Sequence, residues 1–458
     1  MAIHPVPSRH RIRPIGIIAT AFIVVAATYA AVPGAVVRDA AVPAAVSPGR
    51  PVSPETAPAV GVAAVTGATV ADIDANIRIW SAKSAADEND YISATNLGIL
   101  YLGRARLTAN LDDYSRAAAA NGRALAADPS YIPARGLDAT VRYGIHDFDG
   151  ALAAARSLLA DSPGDPDALA VVGDASLELG MIDAARETYP RLARLTPGPA
   201  LDVRLARLAY VTGDPGRALE IARRAQIDAS EHGAIDLTFF EFQLGEFARL
   251  AGDAAQARTA FEAALSIRPG HLGALVGLAR VDAAAGDVAS AIDRLEQAAA
   301  IAPQPEVLAL LGDLLAARGD AAAARSQYDT IRLSAQLSDL AGAVYDRQLI
   351  AFELDHGGAS EAVLQAARTS SAARPDAVGL DLVAWALHRL GRDDEAAAAS
   401  ELARATGIVD ARVTFHAGAI AVGRGDTARG KALLGDALAL GPALDPADRA
   451  EAERLLSD

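Results

Sequence analysis

Histidine and acidic side chains are the groups of this 458-residue chain that could hold a metal ion or move a proton, because the chain has no cysteine. The eight histidines are dispersed, and only His388 and His416 fall at related positions. No two histidines have the spacing of a zinc-binding helix, and the sequence has neither a phosphate-binding loop nor a nucleophile elbow. We therefore expect no metal, no cofactor and no catalytic residue, and we interpret the chain as non-enzymatic.

The stretch from Thr238 to Pro269 shows which elements must position the remaining side chains. Apolar residues recur at helical spacing on both sides of Gly252 and Asp253, where glycine can end one helix and aspartate can begin the next. The proline prevents the second helix from continuing. One constant interval separates Pro129, Pro163 and Pro197, and also Pro269 and Pro303. The sequence therefore predicts a series of helical hairpins that bury their faces against one another.

Small and aromatic residues repeat with the same period. Glycine, glycine, alanine, aromatic and proline positions share one set of offsets in two stretches: Gly245, Gly252, Ala257, Phe261 and Pro269, and Gly173, Gly180, Ala185, Tyr189 and Pro197. This pattern and its interval resemble the tetratricopeptide repeat. The resemblance implies an all-α, right-handed α-solenoid of about ten helical hairpins. We expect the solenoid over residues 71–445 and a C-terminal capping helix over residues 446–458.

The family resemblance also implies which side chains face a partner, since the first helix of each tetratricopeptide hairpin lines the inner groove. The transferred positions give nine candidate partner-binding residues: Asp174, Phe242, Glu246, Arg280, Asp313, Arg347, Asp381, Trp385 and Phe415. Chaperone-binding members hold a peptide carboxylate with lysines and asparagines, whereas Asp174, Glu246 and Asp313 stand at the asparagine positions here. The resemblance thus implies an acidic concave groove for a basic or neutral extended segment of a protein.

Two aromatic candidates lie near the C-terminal end of the repeats. Trp385 and Phe415 could anchor an apolar side chain of the partner, since buried aromatic anchors dominate many interfaces. The alternative for both is packing between helices, which is the more frequent role of a large aromatic side chain in a repeat.

Net charge restricts the classes of partner. The whole chain carries −15, and residues 1–70 hold five arginines against two carboxylates, so the remainder carries −18. Nucleic-acid binding needs clustered basic residues that neutralise phosphates. We therefore expect no nucleic-acid partner, and no contact of the solenoid with anionic lipid.

The N-terminus predicts export. Arg9, Arg11 and Arg13 in residues 1–13 precede an uncharged, mostly apolar run within residues 14–32. We favour a single-pass anchor with its basic end in the cytoplasm. The alternative is a signal peptide cut near Ala30, which would give a secreted or periplasmic protein. Residues 33–70 are rich in alanine, valine and proline and are interpreted as a disordered linker. Membrane contact would come through the N-terminal helix alone.

A second resemblance covers residues 374–426. It is to a group of exported bacterial tetratricopeptide repeat proteins, with the shared motifs RPD at 374–376, AWAL at 384–387 and FHAG at 415–418. It implies an exported scaffold without a defined substrate.

Three functional hypotheses follow from these features. The first is a scaffold for protein–protein interaction, which an open groove through several repeats would favour. The second is an exported small-ligand receptor or enzyme-like protein with a closed pocket at Asp381, Trp385, His388, Phe415 and His416. The third is a self-associating structural element, which would expose an apolar patch at one end of the stack.

Overall fold

The computed structural model of the chain describes residues 69–233, 236–337, 344 and 346–458. The predicted anchor, and all of the predicted linker except residues 69 and 70, lie outside these residues. The described residues form 22 α-helices and no β-strand. The all-α prediction is therefore confirmed.

The helices follow one another with short connections. The first eleven are α1 (Val70–Ala86), α2 (Tyr91–Thr108), α3 (Leu111–Ala127), α4 (Ile132–Gly144), α5 (Phe148–Asp161), α6 (Pro166–Glu178), α7 (Ile182–Ala193), α8 (Pro199–Val211), α9 (Pro215–Glu231), α10 (Leu237–Leu250) and α11 (Ala254–Ile267). The others are α12 (Leu272–Ala284), α13 (Val288–Ile301), α14 (Pro305–Ala317), α15 (Ala321–Leu337), α16 (Asp346–Asp355), α17 (Glu361–Ala373), α18 (Ala377–Arg389), α19 (Asp393–Ala405), α20 (Ala411–Gly423), α21 (Thr427–Ala439) and α22 (Pro446–Ser457). Helices α2 to α21 pair into ten hairpins, flanked by α1 and α22.

The hairpin turns have the geometry that the sequence predicts. Gly252 has a φ of 81°, a left-handed conformation that glycine adopts without steric cost. The carboxylate of Asp253 then accepts a hydrogen bond from the backbone N–H of Gln256 and caps α11. Four other aspartates cap the helices that follow them in the same way: Asp214, Asp287, Asp320 and Asp426.

An aromatic side chain fills the space that two glycines leave between neighbouring hairpins. A Cβ atom on Gly245 would lie 2.5 Å from the ring of Phe261, and one on Gly277 would lie 2.3 Å from it. Because α10 and α12 both leave this space to the ring, the fully buried Phe261 joins two consecutive hairpins. Two hairpins earlier, the Tyr189 ring lies in the same way against one glycine, Gly173.

The chain of hairpins coils back on itself along one line of contact, here named the seam. The turns at Gly180, Gly213 and Gly252 lie against Pro375, Gly407 and Leu440 respectively, in hairpins much further along the chain. A Cβ atom on Gly213 would lie 2.0 Å from the carbonyl oxygen of Gly407. Successive early hairpins therefore meet successive late ones edge to edge.

Polar contacts reinforce the seam. The Tyr210 hydroxyl donates to Asp410 Oδ2 at 2.6 Å, and Arg249 Nη1 donates to the Pro442 carbonyl oxygen at 3.3 Å. Arg280 Nε donates to Asp445 Oδ1 at 2.7 Å, next to the start of α22. The C-terminal hairpins and α22 thus cover part of the inner side of the earlier repeats.

A membrane-spanning helix is not found within the described ranges, since none of their helices is both long and apolar enough.

Candidate partner-binding site

The nine candidate residues lie on the first helices of seven hairpins, as the repeat pattern predicts. The six charged candidates, however, are all engaged by other groups of the chain. Asp174 is buried, and its carboxylate accepts hydrogen bonds from Arg204 Nε at 3.0 Å and from the Tyr189 hydroxyl at 2.9 Å. Burial raises the pKa of Asp174 above its ordinary value, although Arg204 favours the charged form.

Ion pairs occupy two candidates beside the seam. Glu246 Oε2 accepts a hydrogen bond from Arg249 Nη2 at 2.9 Å, and the same guanidinium reaches Pro442. Arg280 lies between two carboxylates, donating to Asp445 and, at 2.6 Å, to Glu306. Because these charged side chains pair with each other within the chain, they are not free to pair with a partner protein.

Two further candidates, Asp313 and Arg347, form hydrogen bonds or ion pairs with other side chains of the chain. Asp313 Oδ1 accepts from the Tyr328 hydroxyl at 2.7 Å and lies 2.8 Å from His356 Nε2. Burial lowers the pKa of His356, but the hydrogen bond and charge of Asp313 outweigh it and raise the pKa overall. Arg347 donates to Asp376 Oδ2 at 2.8 Å.

The last three candidates belong to a packed group here named the C-terminal cluster, which consists of Asp355, Asp381, Trp385, Arg412, Phe415, His416 and Asp448. Trp385 is 1% exposed and Phe415 is 0% exposed. Neither can receive a partner's side chain from this position, so the anchor hypothesis is wrong for both and the packing alternative holds. Trp385 stacks on His416 with ring centroids 4.0 Å apart and donates from Nε1 to Asp355 Oδ1.

Buried charge is concentrated in the C-terminal cluster. His416 Nδ1 lies 2.7 Å from Asp381 Oδ2, and Arg412 contacts both Asp355 and Asp448. Burial raises the pKa of Asp448 to about 7, against the attraction of Arg412. The small-ligand hypothesis placed a pocket here, but these side chains are packed against one another. His388, the remaining residue of that hypothesis, pairs with Asp393.

Open space is found elsewhere, in a cavity of about 320 Å³ beside the seam. Its walls come from the inner helices α6, α8 and α10 and from two seam segments, residues 375–378 and 406–410. Asp174, Phe242 and Glu246 are the sequence candidates that line it. Its exposed lining residues are Pro375, Val378 and Thr406, and we infer that the mouth of the cavity lies beside them. The structure thus places three of the nine candidates at one cavity and distributes the other six.

The sequence analysis missed most of the cavity's polar groups. Glu178 and Arg207 face each other in its wall, with Arg207 Nη2 2.5 Å from Glu178 Oε1, and the Tyr143 hydroxyl donates to the same oxygen at 3.0 Å. Gln243 is 7% exposed and lines the cavity, and its side-chain amide has no hydrogen-bond partner among the described residues. The repeat period could have indicated Arg207, which lies on an inner helix.

Metal ligation finds no support in the described ranges, where no group of three or more histidine, aspartate or glutamate side chains could hold an ion.

Comparison with known proteins agrees with this architecture. Residues 248–314 match the family model described as tetratricopeptide repeat. No curated protein sequence matches the chain. PilW, described as a type IV pilus biogenesis factor, is 19% identical with a TM-score of 0.38, over 47% of this chain and 98% of its own.

Two longer structures are also similar. Yeast Tom70 is 14% identical with a TM-score of 0.37, over 84% of this chain and 92% of its own. The human IFIT1 dimer with m7Gppp-AAAA is 15% identical with a TM-score of 0.48, over 74% of this chain and 77% of its own. At these identities and TM-scores, none of the three carries information on what this chain binds.

Proposed function

Because the chain is a tetratricopeptide repeat protein, we propose that it is a non-enzymatic scaffold that binds another protein through the inner side of its repeats. The observation that supports this most directly is the cavity, which lies between the inner helices of three successive hairpins and the seam. The space is at the small end of the range of about 300–1,000 Å³ that is usual for ligand pockets. This volume suits the tip of a loop or a chain end. The proposed ligand is therefore a short segment of the partner and not the extended segment that an open groove would bind.

Pre-formed walls favour this mode of binding. The inner helices are held by the buried Phe261 and Tyr189 rings on either side of the cavity, and the seam fixes the opposite wall. A partner that inserts a short segment would order few groups of the receptor, and that lowers the entropic cost of association.

The proposed location is outside the cytoplasmic membrane, with the solenoid attached through residues 14–32 or released after cleavage. The support is the basic flank and apolar run of the N-terminus. Protease added to spheroplasts should degrade the repeats while a cytoplasmic marker stays intact. Protection of the repeats until the membrane is lysed would contradict this location.

The binding experiment is a crosslinking pull-down with the full-length chain and a variant that blocks the cavity mouth. Val378 is 43% exposed at the mouth, so Val378→Trp would obstruct access with little disturbance of the core. Leu402→Trp is the matched control, because Leu402 is 60% exposed on α19 and does not line the cavity.

The scaffold proposal expects a protein captured by the wild type and by Leu402→Trp and lost from Val378→Trp. Equal capture by all three would place the binding surface outside the cavity. If no protein is captured by any of them, the scaffold proposal fails and a small-molecule ligand of the same cavity becomes the better hypothesis.

A further inference from the structure

The cavity wall has an excess of negative charge. Five carboxylates line it, those of Asp174, Glu178, Glu246, Asp376 and Asp410, against the two guanidinium groups of Arg204 and Arg207. Arginines neutralise four of the five carboxylates. The pairs are Arg204 with Asp174, Arg207 with Glu178, Arg249 with Glu246 and Arg347 with Asp376. The fifth, Asp410, has no arginine, lysine or histidine side chain as a partner among the described residues.

Asp410 is held in place by neutral donors. Its Oδ1 accepts from the backbone N–H groups of Arg412 and Val413 at the start of α20, and its Oδ2 accepts from the Tyr210 hydroxyl. Burial, and then the Asp410 carboxylate, raise the pKa of Tyr210 well above its ordinary value, so the hydroxyl remains a donor. Neutral donors orient this carboxylate but leave its charge for a ligand to balance.

A second observation points to a ligand independently. Gln243 is more than nine-tenths buried, lines the cavity and leaves its amide without a hydrogen-bond partner among the described residues. The amide atoms are not among the fully buried polar atoms that lack a partner, so the amide opens into the cavity and not into packed core. Its carbonyl oxygen can accept a hydrogen bond from a group that enters the cavity.

The remaining walls are aromatic and aliphatic. The rings of Tyr143, Tyr210, Phe242 and Phe247 line the space, together with Leu177 and Leu250. Aromatic faces attract cations, and aliphatic walls suit the methylene groups of a long side chain. A group with a positive end and an apolar stem therefore fits each part of the wall.

We propose that the cavity binds the cationic side chain of an arginine or lysine, presented by a loop or chain end of the partner protein. The stem packs between the aromatic and aliphatic walls, and the charged end meets Asp410 and the Gln243 carbonyl oxygen. This inference rests on the proposed scaffold function and specifies the residue type that the scaffold recognises.

The test is calorimetric titration of the full-length chain in mild detergent with N-acetylarginine amide. N-acetylcitrulline amide is the matched control, because citrulline has nearly the shape of arginine without its charge. N-acetylglutamate amide provides the opposite charge. The arginine probe should bind at least about tenfold more tightly than the citrulline probe, the difference that one charged hydrogen bond can supply, and the glutamate probe should not bind.

Two variants locate the binding. Asp410→Asn keeps Oδ1 as the acceptor that caps α20, and its NH2 group can donate to the Tyr210 hydroxyl oxygen after that hydroxyl rotates, so the fold is retained while the charge is removed. This variant should bind the arginine probe about tenfold more weakly than the wild type does, and its affinity for the citrulline probe should be unchanged. Val378→Trp should abolish binding of the arginine probe, and Leu402→Trp should not affect it.

Equal affinity for arginine and citrulline probes, no binding of the arginine probe, or an unchanged affinity in a folded Asp410→Asn variant would overturn the inference. The scaffold proposal fails separately. If a partner is captured through the cavity but N-acetylarginine amide does not compete with it, the scaffold stands and the cationic side chain is wrong. If the probe binds but no partner is captured, the cavity chemistry stands and the scaffold falls.

Discussion

The cavity and the C-terminal cluster both contain buried carboxylates, arginines and aromatic rings, but among the described residues the open volume that we find lies at the cavity, whereas the side chains of the cluster pack against one another. In the C-terminal cluster, Trp385 stacks on His416, and Arg412 contacts Asp355 and Asp448. In the cavity, the inner helices and the seam leave about 320 Å³ between them. Both regions perturb pKa values, so a perturbed carboxylate does not by itself mark a binding site. Buried polar atoms that have no partner among the described residues also occur in the C-terminal cluster, at Asp381 Oδ1 and His416 Nε2, so open space is the better indication.

The largest expected difference between the two regions is in stability. Trp385→Ala removes a fully buried ring and its hydrogen bond to Asp355, so we expect a loss of about 3–5 kcal/mol in the free energy of unfolding. Val378→Ala at the cavity mouth should change it by less than about 0.5 kcal/mol. Urea unfolding followed by circular dichroism measures both. A loss below about 1 kcal/mol for Trp385→Ala would mean that the C-terminal cluster is loosely packed.

The seam between early and late hairpins can be tested with two glycines in equivalent turns. Gly213 and Gly286 have φ values of 88° and 84°, so alanine should cost each a similar backbone strain. A Cβ atom at Gly213 would also collide with the Gly407 carbonyl oxygen, whereas no atom lies within 4 Å at Gly286.

We expect Gly213→Ala to lose about 1–3 kcal/mol more than Gly286→Ala, because the seam must move apart. Equal losses in thermal or urea unfolding would show that the seam is not formed in solution. Faster amide hydrogen exchange over residues 406–412 in Gly213→Ala alone would locate the change.

The C-terminal cluster should also show in the pH dependence of stability. Burial raises the pKa of Asp448 from an ordinary value of 3.8 to about 7, so between these pH values the folded protein binds more protons than the unfolded chain. The contribution of Asp448 to stability is therefore present below pH 3.8 and is lost as the pH rises towards 7.

Asp448→Asn removes this group, so the fall in unfolding free energy from pH 5 to pH 7 should become shallower. Asp167, whose pKa burial also raises to about 7, retains a contribution of the same sign. Urea unfolding at half-unit pH intervals and constant ionic strength measures the slopes. Parallel curves for the variant and wild type would contradict the prediction.

The smallest expected effect concerns the unpartnered amide of the cavity. Gln243→Met replaces an amide that opens into the cavity and has no hydrogen-bond partner among the described residues, so stability should stay within about 0.5 kcal/mol or rise. Asn121→Leu is the contrasting variant, because the Nδ2 group of the buried Asn121 donates to the Ala134 carbonyl oxygen, although its Oδ1 atom has no partner among the described residues. It should lose about 1–3 kcal/mol. A similar loss in both variants would show that Gln243 has a structural role.

The repeated part of the fold could be predicted because its determinants lie close together in sequence. Gly252, Asp253 and Phe261 specify a turn, a cap and a packing ring within one hairpin, and the same residue types recur in other hairpins at the repeat interval. The candidate site was only partly predicted. The helix that carries Phe242 and Glu246 was identified correctly. The prediction of an acidic groove assumed that its carboxylates were free, whereas most of them pair with arginines.

The sequence by itself determined the helical hairpins, their order and the faces that pack, since each depends on contacts between residues of the same or neighbouring repeats. The tertiary structure decided which inner side chains remain available. Contacts such as Tyr210 with Asp410 and Arg280 with Asp445 join residues that are 200 and 165 positions apart. Such pairs depend on how far each hairpin rotates relative to the last, and small rotations accumulate along the solenoid. The accumulated rotation cannot be read from any local sequence pattern. The cavity, its mouth and the Asp410 carboxylate without a basic partner therefore form only when early and late hairpins meet at the seam.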